Sequence, residues 1–144
     1  MLQHVFVQYD ELTHLRRDAC GCVNWDFDEE HNGVICKIKV KSASWLKKRL
    51  SEYKQPINFF KKIRLHILLH ELGHIANRHF KTDFKGLETE YMDNLKDEVE
   101  AWLYACRCVK DPEEILCTIA ITGDPEVAFE LENSLEELLP GRGP

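Results

Sequence analysis

Apolar and polar residues alternate along two stretches of the N-terminal third, weakly over residues 2–9 and clearly over 34–41, and both patterns predict strands. In the second, Val34, Cys36, Ile38 and Val40 share one face, while Lys37, Lys39 and Lys41 share the other with Ile35. A lysine row of this kind suits a half-buried strand at the edge of a sheet. Between the two strands, residues 10–32 read as irregular, with Cys20-Gly21-Cys22 and an acidic, turn-rich run over 26–33. Beyond residue 42 the period changes to that of a helix. Trp45, Leu46, Arg49, Leu50 and Tyr53 recur at three and four before Gln55-Pro56. A long helix is predicted over 58–80, where Phe59, Ile63, Ile67, Leu68, Leu72 and Ile75 cover so much of the circumference that it belongs in the middle of the domain.

A further helix is predicted over 88–109, with Leu95, Val99, Trp102, Leu103 and Cys106 as its apolar positions. Asp111-Pro112 and Asp124-Pro125 each place a capping aspartate before a proline at the first helical position, announcing two more helices. The last of these carries Val127, Phe129, Leu131, Leu135, Leu138 and Leu139 and stops at Pro140-Gly141. The expected class is α+β: a small N-terminal β-sheet within 1–41, a helical part over 42–140 and a tail at 141–144, together forming one domain over 1–144.

A chain of 144 residues can bury a core without disulfides, and 44% hydrophobic with 31% charged residues is an ordinary globular composition. The formal charge of −6 and pI near 5.6 argue against a nucleic-acid binder. The most apolar stretch, 63–75, is interrupted by Arg64, His66, His70, Glu71 and His74, so no membrane span is expected. No signal-peptide pattern is present at the start, so the expected compartment is the cytoplasm and the six cysteines are expected to be reduced thiols. The pairs Cys20/Cys22 and Cys106/Cys108 could supply a four-thiolate zinc site, but two residues two apart on a helix face nearly opposite sides.

One motif carries chemistry. His70-Glu71-Leu72-Gly73-His74 is His-Glu-x-x-His, and on a helix its two imidazoles lie one turn apart on the same face, within reach of one zinc ion. Glu71 is the candidate catalytic residue, able to take a proton from water and pass it to a leaving amine. A catalytic zinc needs a third protein ligand. Asn77 and Phe80 stand where the metzincin pattern requires Gly and His, and Cys36 lacks the surroundings of a peptide deformylase cysteine. A carboxylate from the following helix, the gluzincin arrangement, remains, with Asp97-Glu98-Val99-Glu100-Ala101-Trp102 in position to supply it.

His-Glu-Leu-Gly-His, then a helix with Glu-x-Glu-Ala, then helices after an Asp-Pro step, resembles the ImmA/IrrE family of metallopeptidases over about residues 60–108. The resemblance implies a zincin-like domain with the motif on a central helix, Zn2+ as cofactor, and His70, His74 and Glu98 as ligands, with Glu100 as the alternative third ligand. It also implies cleavage of a specific regulatory protein, often a transcriptional repressor. Trp102 stands where the family carries Asn, Arg107-Cys108-Val109-Lys110 replaces its Leu-Leu-Met-Pro, and Arg78 replaces a frequent further His. His66 reads first as a partly buried structural histidine, with positioning a ligand or facing substrate as the alternative, and His79, Tyr91 and Tyr104 are candidate oxyanion donors. The alternative function is a non-catalytic, metal-stabilised interaction domain, for which the Trp102 substitution speaks and Glu71 does not.

Overall fold

A computed structural model of the chain describes residues 2–10, 20–30, 33–77, 95–122 and 125–138. Strands β1 (Leu2–Asp10), β2 (Gly21–Asp28) and β3 (Gly33–Lys41) precede helices α1 (Ala43–Glu52), α2 (Phe60–Ala76), α3 (Leu95–Cys108), α4 (Pro112–Thr122) and α5 (Pro125–Leu138). The expected α+β class is observed. The sheet order is β1-β3-β2, with β1 parallel and β2 antiparallel to β3.

Two features of the sheet differ from the sequence reading. β3 is the central strand, not an edge: Cys36, Ile38 and Val40 are fully buried beneath the helices, whereas Lys37 is exposed and Lys39 half-buried. Alternation records which face of a strand meets the core and carries no information on its lateral neighbours. Lys41 departs from the lysine row, being buried with its ammonium 5.4 Å from the centre of the Trp45 ring. The segment read as irregular contains β2, which pairs Gly21 with Val40, Val23 with Ile38 and Trp25 with Cys36. Its Val23-Asn24-Trp25-Asp26-Phe27 alternation is a strand pattern obscured in sequence by Asp26, Asp28 and the neighbouring turn residues.

Capping fixes the helix ends. Ser42 Oγ accepts from the Trp45 amide at 3.3 Å and starts α1. Its C-terminus closes with Gln55 N–H to Leu50 O (2.9 Å) and Lys54 N–H to Ser51 O (3.1 Å), a Schellman arrangement in which Lys54 takes a left-handed φ of 55°. α2 follows a single 3-10 turn (Ile57–Phe59) and ends four residues before the expected Phe80. Asn77 stops it by donating both its side-chain amide (2.8 Å) and its backbone N–H (3.0 Å) to Gly73 O. The expected start of the next helix, residues 88–94, lies outside the described residues. Asp111 caps α4 through Oδ1 and the Glu113 amide at 3.1 Å, as its Asp-Pro signal predicts. On α5, Val127, Leu131 and Leu135 are buried at four-residue spacing, leaving Phe129 on the opposite side and 63% exposed.

α2 separates two cores, one against the sheet (Cys36, Ile38, Val40, Leu46, Leu50, Ile63, Ile67) and one among α3, α4 and α5 (Trp102, Ala105, Ile115, Ile119, Leu131). The central position expected for this helix is observed. Its closest neighbour is α3, and the contact is backbone on backbone: a Cβ on Gly73 would lie 2.4 Å from Ala101 O and 2.8 Å from Ala101 Cα. No side-chain rearrangement relieves such an overlap, so Gly73→Ala must push the helices apart. The expected outcome is a loss of about 1–3 kcal/mol, read as a thermal midpoint lowered by roughly 3–10 °C in calorimetry of the metal-free protein.

Candidate metal centre

His70 and His74 lie one turn apart on α2, and Glu98 enters from the N-terminal end of α3. The close Gly73–Ala101 approach between them brings the three side chains together. Nε2 of His70 is 3.1 Å from Nε2 of His74, and Glu98 places Oε2 3.0 Å from the first and Oε1 3.0 Å from the second. Among the described residues this is the one group of three or more His, Cys, Asp or Glu whose donor atoms converge closely enough to hold a metal ion.

Each Nε2 carries at most one hydrogen. With both directed at the ionised Glu98, the two N–H groups crowd each other at 3.1 Å; with either bare, its contact with the carboxylate sets lone pair against lone pair. A cation at the centre would relieve both. Zinc bonds of about 2.0–2.1 Å at tetrahedral angles separate donors by about 3.3 Å, close to the spacing found here. Two imidazoles and a carboxylate are also the donor chemistry of catalytic zinc. The residues fit the ion.

Electrostatics agree with the geometry. Burial pushes the Glu98 carboxyl upward, but the charges and hydrogen bonds of His70 and His74 outweigh it and hold the group well below the usual carboxylate range. Glu98 is therefore an anion in a largely desolvated place, which the first turn of α3 also favours.

Two further contacts shape the centre. Trp102 is 6% exposed and stacks on His70, ring centroids 4.1 Å apart at 26°. Its ring packs against the imidazole plane and helps fix it. Glu71 is buried on the side of α2 facing β2, and a Cβ on Gly21 would come within 3.0 Å of its Oε1 and 2.7 Å of Ile67 Cγ2. The glycine between Cys20 and Cys22 makes room for that carboxylate. Neither role was visible in the sequence, although a glycine inside an alternating strand is itself a sign of close approach.

The other candidates divide. Glu100, the alternative ligand, is outside the donor cluster, its Oε1 lying 3.8 Å from Lys96 Nζ. His66 is buried and bonded through Nδ1 to Thr118 Oγ1 at 2.6 Å, which ties α2 to α4. Tyr104 is half-buried, and six residues beyond Glu98 it points about 120° away from that side of α3. His79 and Tyr91 lie outside the described residues. None of the six cysteines forms a disulfide, and burial pushes the Cys36 thiol up to about 11, so it stays protonated in the sheet core and is no ligand.

Two outcomes are expected. Trp102→Ala should weaken zinc binding by about 10–100-fold, measured by competition with a chromophoric chelator, while Trp102→Phe retains most of the affinity. Burial also lowers the His66 pKa below its ordinary value, against the opposing pull of Glu114 and with a smaller push from Lys62. The unfolded chain therefore takes up this proton first as pH falls, and stability is lost from about pH 6.5 downward to the folded value. In chelator, the urea midpoint of His66→Gln should fall less between pH 7.5 and 5.5 than that of the wild type.

No family model, curated protein or solved structure matches the chain. Its functional reading rests on the donor cluster and on the motif that builds it.

Proposed function

We propose that this chain is a zinc-dependent peptidase of the gluzincin kind, with a zincin-like arrangement around α2, similar to the ImmA/IrrE metallopeptidases its motifs resemble. The observation that carries the reading is the convergence of His70, His74 and Glu98 at 3.0–3.1 Å on the helix that also bears the buried Glu71. A purely structural site has no use for that glutamate. When bound, zinc supplies Lewis acidity toward water and toward a substrate carbonyl. His70 and His74 offer their Nε2 lone pairs and Glu98 its negative charge, so the ligand set carries one unit of charge and leaves the ion electrophilic. Glu71 takes the proton of the attacking water and returns it to the departing amine as the C–N bond breaks. Trp102 keeps His70 in plane through that cycle.

The substrate class follows from the resemblance: a regulatory protein, with a transcriptional repressor as the leading kind, in a cytoplasmic setting. A metal-stabilised interaction domain is the second reading, and it draws on Trp102, whose ring replaces the polar partner expected at a working site.

Zinc per chain by elemental analysis should be near one for the wild type and Glu71→Gln, and strongly reduced for Glu98→Ala. A proteome-derived peptide mixture incubated with the zinc-loaded protein should gain new termini by mass spectrometry that Glu71→Gln does not produce. Equal metal in the wild type and Glu98→Ala would remove the ligand assignment. Identical termini from the wild type and Glu71→Gln would remove the catalytic one.

A further inference from the structure

The formal charge of −6 conceals a strong segregation. Residues 37–64 hold ten of the 19 lysines and arginines against the single acidic Glu52, a local balance of +9. The remaining residues hold nine basic against 24 acidic side chains, a balance of −15. A random spread would put about four basic residues in such a segment. The basic stretch covers the end of β3, all of α1 and the first turn of α2.

The fold engages only some of these charges. Arg49 pairs with Glu52 at 3.6 Å and bonds Ile121 O, and Lys62 pairs with Glu114 at 2.8 Å. Lys47, Lys48, Lys54 and Lys61 are exposed and form no ion pair among the described residues. Lys54 even occupies the left-handed position after α1 where glycine is the default. Lys47 Nζ lies 4.6 Å from the centre of the Phe60 ring, which joins the α1 lysines to the start of α2 in one surface. Lys61 precedes His70 by nine residues on the same helix, about 14 Å along its axis.

We propose that this α1–α2 surface is a docking site for an acidic polypeptide segment of the protein substrate, held while the segment to be cut reaches the metal centre. The inference rests on the peptidase reading for its choice of a polypeptide. Charge complementarity gives the sign of the partner, and size gives its class. α1 spans about 15 Å, which four or five extended residues match. A DNA duplex carries one charge per about 1.7 Å and continues well past such a footprint. With screening over about 8 Å at physiological salt, a short acidic segment interacts with the basic patch alone.

The test uses the zinc-loaded full chain and fluorescein-labelled octaglutamate, octaglutamine and a 20-bp duplex, followed by anisotropy at 50 and 150 mM NaCl. Octaglutamate should bind, weaken with salt, couple through carbodiimide to Lys47, Lys48 or Lys61, and lose at least tenfold in affinity in K47E/K48E/K61E. Octaglutamine should not bind. The neutralising pair K48Q/K61Q should lose about threefold, and it serves if the triple variant does not fold. Unchanged octaglutamate affinity in the variants overturns the proposal. So does tighter binding of the duplex, which makes nucleic acid the partner, or self-association by sedimentation that the variants abolish, which makes it a second copy. Glu71→Gln should bind octaglutamate as the wild type does, so failure of the catalytic reading is separable from failure of the docking site.

Discussion

The contact on which the rest depends is the approach of two helix backbones at Gly73 and Ala101. Its distance leaves no space for a Cβ, and both motifs that carry chemistry meet there: Gly73 is the fourth residue of His-Glu-Leu-Gly-His, and Ala101 ends Glu-x-Glu-Ala. One residue beyond Gly73 stands a side chain of the candidate donor cluster, and three before Ala101 stands another. The small residues are therefore part of the centre's geometry, because they set how far Glu98 stands from the two histidines. A packing constraint at one point becomes a bond length at another.

The helical part was largely legible in the sequence because its signals are local. A capping serine or aspartate, a proline at the first turn and a three-four apolar period each act within a few residues, and α1, α4 and the middle of α2 follow them. The sheet was less legible. Strand order depends on partners far along the chain, so the lysine alternation of β3 placed Cys36, Ile38 and Val40 inward correctly but misplaced Lys41 and the strand's lateral position. β2 was hidden by Asp26 and Asp28 within a strand whose apolar residues still alternate in sequence. In the site, the histidine pair was readable from spacing alone, whereas the choice of Glu98 over Glu100 needed the resemblance, and the structure places the donor oxygens of Glu98, not those of Glu100, in the cluster. The stacking of Trp102 and the room left by Gly21 are tertiary facts with no spacing signature.

Burying two imidazoles and an ionised carboxylate between two hydrophobic cores is unfavourable in itself, and the surrounding structure accommodates it unevenly. Trp102 covers one side with an aromatic plane, His66 is engaged by Thr118 one turn away, and Glu71 rests against a glycine. Every group of the His66/His70/His74 stripe thus has a separate environment despite sharing one helix face. That separation allows one stripe to supply a structural tie and two donors.

The donors also lie on both sides of a long stretch of chain. His74 and Glu98 are 24 residues apart, so an ion held by both acts as a cross-link that closes a loop, and the entropy of that closure is taken from the unfolded chain. Such a clasp works by mass action: each tenfold rise of free zinc above its dissociation constant adds about 1.4 kcal/mol to the folded state. An ion bound there would activate water and also set how much of the chain is folded, so its supply would bear on the protein's stability as well as on its chemistry.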